Sequence, residues 1–102
     1  REDTDSLDEL ARHVLDDITT PGGDLDTAAL GPLPDAVRRR VIRSWLLAGG
    51  ATGLTDVQIR GVDRLVTAWR GQGGVAVASG RHRQRLFAQR RHGVLTLHIE
   101  SV

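Results

Sequence analysis

The sequence has 102 residues, 39% of them hydrophobic and 26% charged, with no cysteine. That is the size of one globular domain with a modest core, and it excludes a disulfide scaffold, a thiolate metal site and a cysteine nucleophile. The formal charge of +1 hides a division: residues 1–35 hold two arginines against ten acids, a balance of −8, whereas residues 36–102 hold twelve arginines against three acids, a balance of +9.

Such asymmetry points to an anionic partner for the second part. Every basic residue is arginine, and lysine and asparagine are both absent. A GC-rich genome produces that pattern as readily as phosphate chemistry does. Methionine is also absent and the sequence begins at Arg1, which reads as a piece excised from a longer protein. No apolar run approaches the roughly 18 residues that span a membrane, and nothing resembles a signal peptide. The four histidines, His13, His82, His92 and His98, lack the close pairing of a zinc signature, so no metal site is expected.

In chain order, Leu7, Leu10, Ala11, Val14, Leu15 and Ile18 make one helical stripe, with Asp5 or Ser6 as its cap and acids on the outer face. Pro21-Gly22-Gly23 ends it. A helical turn is expected from Thr27 to Leu30 behind Asp26. The second main helix starts near Pro34 and stops at Gly49-Gly50. At 100° per residue Val37, Val41, Ile42, Trp45 and Leu46 form its apolar face, and Arg39, Arg40 and Arg43 point away. Arg38 falls between Val41 and Ile42 in angle, which predicts a partly buried guanidinium paired with a carboxylate.

Thr55-Asp56-Val57-Gln58 is a capping box for a third helix, with Val62, Leu65, Val66 and Trp69 as its stripe. Trp45 and Trp69 are therefore expected in the core. From Val75 the period changes to two. Val75–Ser79 is a strand, Gly80 a turn, Arg83–Arg91 a second strand, His92-Gly93 a hairpin turn and Val94–Glu100 a third strand. A two-residue loop pairs Arg91 with Val94. This places Leu86, Ala88 and Arg90 opposite Ile99, Leu97 and Leu95 on the apolar side. The other side carries Arg85, Phe87, Gln89 and Arg91 opposite Glu100, His98, Thr96 and Val94. The expected fold is α+β: three main helices followed by a small three-stranded antiparallel sheet. Residues 1–20 form an acidic connecting helix, and 21–102 form a module with helices over 26–70 and a β-meander over 75–100.

Catalytic chemistry is missing. Ser6, Ser44, Ser79 and Ser101 lack the sharp glycine-flanked turn that exposes a nucleophile. Gly71-Gln-Gly-Gly74 precedes a strand rather than opening a helix, which fails the phosphate-loop pattern. Asp16-Asp17 lies on a solvated helix face. Arginine, in contrast, binds phosphate bidentately and stacks on bases. Arg81, Arg83, Arg85, Arg90 and Arg91 with Phe87 and His92 form one candidate nucleic-acid set, and Arg39, Arg40 and Arg43 a second. A plain solvated surface explains the same arginines, so the residues alone leave both open. Three helices and a small sheet also suggest a winged-helix DNA-binding domain. Its third helix would have to be basic on the outer face, yet Asp56, Arg60, Asp63 and Arg64 cancel.

The stretch Leu33-Pro-Asp-Ala-Val-Arg-Arg-Arg-Val-Ile-Arg-Ser-Trp-Leu-Leu47, the Leu54-Thr-Asp helix start, Gly73-Gly-Val-Ala-Val77 and Arg90 to Leu97 resemble one family. It is the C-terminal, substrate-binding part of bacterial tRNA(Ile)-lysidine synthetase (TilS, also called MesJ), in its short actinobacterial, mycobacterial-like form. The resemblance implies a cytoplasmic ATP-dependent ligase that attaches lysine to the wobble cytidine of an isoleucine tRNA anticodon. ATP with Mg2+ and lysine would be used by the parent's N-terminal catalytic domain, whose Ser-Gly-Gly-x-Asp-Ser loop is absent here. This chain would itself be non-catalytic, with the tRNA(Ile) anticodon arm and that catalytic domain as partners. Pairing into a homodimer stays open, as does a role limited to orienting the catalytic domain. Arg38, Arg43, Trp45 and Leu46 fall on the family's helix motif and Arg90 on the arginine before the last strand. The turn from Ser79 to His82 departs from the family's Pro-Gly-Gly type.

Overall fold

The computed structural model describes residues 2–101, with side chains from Ser6 onward. Helix α1 spans Glu2–Ile18. It runs through Asp5 and Ser6, so neither stands at its N-cap. Ala11 is buried, and Leu7, Val14, Leu15 and Ile18 lean on the core, while Leu10 of the same stripe is left exposed. A turn closed by the Thr20 amide on the Asp24 carbonyl at 2.8 Å reverses the chain.

Two short elements follow, β1 (Leu25–Asp26) and α2 (Thr27–Leu30). The Asp26 carboxylate accepts from the Ala28 amide at 2.9 Å, an N-cap contact that satisfies one orphan donor. Helix α3 (Asp35–Ala48) begins after Pro34 and ends at Gly49. Strand β2 (Ala51–Thr52) leads to α4 (Asp56–Thr67), which opens with both halves of the Thr55–Gln58 capping box. The remainder is a meander of β3 (Val75–Ser79), β4 (Gln84–Arg91) and β5 (Val94–Ser101).

All strands join one antiparallel sheet in the order β1-β5-β4-β3-β2. The β4–β5 register has Arg91 opposite Val94, Ala88 opposite Leu97 and Leu86 opposite Ile99, as a two-residue loop requires. His92 and Gly93 both take positive φ there, the condition for a type I′ hairpin turn. The expected three-stranded sheet is corrected to five strands among the described residues, while the helical turn expected at Thr27–Leu30 is present as α2. The added strands have two residues each, too few to show a period in sequence, and they form because loops following α1 and α3 reach open sheet edges. A second correction concerns Arg83, expected as the first residue of a strand. Its φ of 61° puts it in the turn before β4.

The inner sheet face supplies Leu25, Ala51, Val77, Leu86, Ala88 and Leu95 to the core. Against it pack Val37, Val41, Ile42, Trp45 and Leu46 of α3 and Ile59, Val62 and Leu65 of α4. Burying such side chains stabilises by roughly 1.5–3 kcal/mol each before chain entropy is subtracted. The hairpin outruns this core: Ile99, on the inner face by register, stays exposed. Gly74 has a packing reason, because a Cβ there would lie 3.0 Å from the Ala88 carbonyl oxygen of β4.

Candidate nucleic-acid interface

The arginines of α3 begin at a buried ion pair. Arg38 is 4% exposed and Asp63 of α4 is 3% exposed. Arg38 Nε and Nη2 fork onto the two Asp63 oxygens at 2.5 and 2.9 Å, Nη2 also donates to Asp35 Oδ1 at 2.8 Å, and Nη1 donates to the Leu33 carbonyl at 2.8 Å. Hydrogen bonding to Asp63 raises the Arg38 pKa further above its ordinary value, against the opposing effect of burial. The Arg38 hydrogen bond in turn holds the Asp35 carboxyl below the usual carboxylate range. A guanidinium set between Val41 and Ile42 needs such partners, since an unpaired buried charge is costly.

Its neighbours are also engaged. Arg39 Nε donates to Asp63 Oδ2 at 3.1 Å and Arg40 Nε to Asp8 Oδ1 of α1 at 3.2 Å. Within the second arginine set, Arg39 and Arg40 are thus half-buried and ion-paired, and Arg43 alone is exposed without an ion pair among the described residues. Angular projection from one helix cannot show that acids on other helices reach those guanidinia.

Helix α4 also differs from its sequence projection. Asp63 belongs to the interior, so the exposed charges are Asp56, Arg60 and Arg64, and Arg60 Nε is tied to Asp56 at 2.6 Å. Strand β2 interrupts the connection from α3 to α4 and pairs with β3. The two helices are therefore not joined by the tight turn of a helix-turn-helix, and the winged-helix expectation loses its recognition element.

On the outer sheet face Arg85, Phe87, Gln89 and Arg91 alternate with the buried positions of β4. Ala76 and Ala78 of β3 flank Phe87 and Arg85 on one side, and His98 and Glu100 of β5 on the other. The alanines leave the half-buried Phe87 ring unscreened from that side. His98 Nε2 lies 3.5 Å from Glu100 Oε2, an ion pair only when the imidazole is protonated. Arg81 and Arg83 lie in the turn preceding β4, where the Arg81 amide donates to Ser79 Oγ at 3.1 Å and Arg81 borders a cleft shared with Leu86 and Ile99 of the inner face. Arg81, Arg83, Arg85, Arg91 and His92 are all exposed, and none forms an ion pair among the described residues.

Arg90 points the other way. Its Nη1 donates to the Leu65 carbonyl of α4 at 3.0 Å, and the guanidinium carbon lies 5.2 Å from the Trp69 ring centroid. Trp69 departs from the core placement its stripe suggests. Helix α4 ends at Thr67, the helical angle no longer applies two residues later, and the residue is 41% exposed. Trp45 is in the core, 5% exposed, with Nε1 donating to the Gly23 carbonyl at 2.8 Å. Sequence reasoning thus missed Trp69 as a surface ring, together with exposed Arg64 and Arg70. The signal was the Arg70-Gly-Gln-Gly-Gly74 run, which stops a helix before its stripe is complete. Among the described residues no group of three or more His, Asp or Glu side chains is arranged to hold a metal ion, and Asp63 is already saturated by two arginines.

The model of the TilS substrate binding domain matches residues 25–95, from β1 to the buried start of β5. The chain belongs to that family. The tRNA(Ile)-lysidine synthase of Mycobacterium tuberculosis is 66% identical over 105 residues, covering 100% of this chain and 32% of that protein. The Mycobacterium leprae protein of the same name is 65% identical over 102 residues, covering 100% and 31%. That of Rhodococcus erythropolis is 49% identical over 101 residues, covering 99% and 31%. The chain spans about a third of the length of these relatives. Within the TilS substrate-binding domain as matched lie the Arg38–Asp63 junction, the exposed arginines of β4 and Trp69; α1 lies outside it.

Proposed function

We propose that this chain is the tRNA-binding module of a tRNA(Ile)-lysidine synthase, a cytoplasmic ATP-dependent ligase that joins lysine to the wobble cytidine of the isoleucine tRNA anticodon. The observation that carries this reading is identity of 66% along the whole chain to a relative of that name. The arginine surface supports it physically: Arg81, Arg83, Arg85 and Arg91 have no carboxylate within ion-pair distance among the described residues, and such free guanidinia suit phosphate oxygens. These residues, with Phe87, His92 and Arg43, grip the anticodon arm. ATP, Mg2+ and lysine are handled by the catalytic part of the parent, beyond this chain, because no residue set here suits adenylation.

The test is binding of an anticodon stem-loop RNA across a salt series. Each phosphate contact contributes about 0.7–0.9 to the slope of log affinity against log salt, so a grip through four to six arginines gives a slope of roughly −3 to −5. No binding at low salt overturns the reading. A module that only orients the catalytic part is the second reading. It is favoured by a cleft lined by Leu15, Trp45 and Leu97 and, separately, by the exposed apolar side chains of Leu47 and Ile99, and it predicts no RNA binding by this chain.

A further inference from the structure

Trp69 has no core role, yet its surroundings hold it in place. The Gln72 amide donates to the Arg64 and Ala68 carbonyls at 3.4 and 3.3 Å, and its carbonyl oxygen accepts from the Arg70 amide at 2.8 Å. The loop after α4 is thereby tied back onto the helix end, with Trp69 inside it. Arg90, tethered to the Leu65 carbonyl, stacks over the ring, and 41% of the residue still faces solvent. A rigid indole backed by a guanidinium and open to water is the arrangement on which a nucleobase stacks, since every base has a π-face and arginine adds a cation–π contribution.

The charges around it agree. Arg64 in the last turn of α4 and Arg70 beside the indole are exposed and have no ion pair among the described residues. The acids of α4 are committed elsewhere, Asp63 to Arg38 and Arg39, and Asp56 to Arg60 at the opposite end. We propose that Trp69 is a stacking platform for an unpaired nucleobase, with Arg64 and Arg70 taking the adjoining phosphates. This rests on the RNA-binding reading above and adds a subsite to it. The subsite is separate from the Phe87 surface, because Arg90 and Phe87 alternate to opposite faces of β4. A base already stacked in a duplex offers no free face, so the ligand is a single-stranded or looped RNA segment.

The experiment is a titration of the full chain with heptacytidylate RNA and with an abasic ribose-phosphate strand of the same length, followed by tryptophan fluorescence. Trp45 is buried, so quenching by stacking reports Trp69. We expect the RNA to quench roughly half of the Trp69 emission and the abasic strand to leave it unchanged. Trp69→Ala should weaken heptacytidylate binding about tenfold without changing affinity for the abasic strand. Trp69→Phe should restore most of the affinity while abolishing the signal, and Arg70→Ala should weaken both strands. Binding of RNA without quenching, or an equal loss for both strands in Trp69→Ala, overturns the stacking site and leaves the RNA-binding reading intact. Failure of both strands and of the anticodon stem-loop to bind at low salt overturns that reading and the subsite with it. Circular dichroism and a cooperative melt of Trp69→Phe establish that the ring is replaced in a folded chain.

Discussion

The arginines of α3 and those of the β4 surface look alike in composition and differ in what surrounds them. On α3, Arg38, Arg39 and Arg40 each meet a carboxylate, from Asp63, Asp35 or Asp8. On and beside β4, Arg81, Arg83, Arg85 and Arg91 meet none among the described residues. The first group joins helices and the second is free for a ligand. Counting arginines therefore overstates a binding surface, and the location of the acids tells the two kinds apart.

Breaking the first group should have the largest effect on stability. Arg38→Ala removes the fork onto Asp63 and the bonds to Asp35 and Leu33, leaving a carboxylate that is 3% exposed with Arg39 as its remaining ion-pair partner. Such a loss costs about 3–5 kcal/mol, visible as a lower urea midpoint with an unchanged m-value. Asp63→Ala should fall at the low end of that range, because Arg38 keeps Asp35 and the Leu33 carbonyl. Replacing both by Leu and Met together should recover much of the loss, since a buried pair is often no better than an apolar one of similar volume. If both single variants melt like the parent, the division between the two groups is wrong.

The second group sharpens the comparison from the opposite side. Arg85→Ala and Arg91→Ala should each change stability by no more than about 0.5 kcal/mol, as exposed substitutions do. Each should also lower the salt slope of anticodon stem-loop binding by about 0.7–0.9 for every phosphate that the arginine neutralises in the parent chain. Arg39→Ala and Arg40→Ala should leave that slope unchanged. A slope that responds to Arg40 and ignores Arg85 would move the RNA surface to α3.

The difference in legibility follows the same physical line. The β4–β5 register was readable because one short loop fixes the alternation of an entire hairpin. Arg38 was readable because its angle lies between two apolar residues on the same helix. Both inferences use information within one element. Asp63 was misread as a surface charge because its partner sits on another helix, 25 residues earlier in sequence. Trp69 was misread because the helix stops at Thr67 under the hold of a side chain from the following loop, Gln72. The two-residue strands β1 and β2 carry no period of their own and exist through edge pairing.

Asp35 gives the smallest effect, at the exposed end of the Arg38 network. Its carboxyl is held below its ordinary value of 3.8, first by the Arg38 hydrogen bond and then by Arg38 and Arg39 charge. A group whose folded pKa is depressed contributes stability above its unfolded value and loses it as pH falls through the folded value. Native protein should therefore exceed Asp35→Asn in Tm at pH 7, by a margin that begins to shrink near pH 4 and closes at lower pH. Because the Asp35 side chain is 71% exposed, salt should shrink the margin at every pH, as it does for surface pairs. A margin that ignores both acid and salt would mean that Asp35 acts through the α3 N-terminus without its charge, and Arg38 would then be anchored by Asp63 and the Leu33 carbonyl alone.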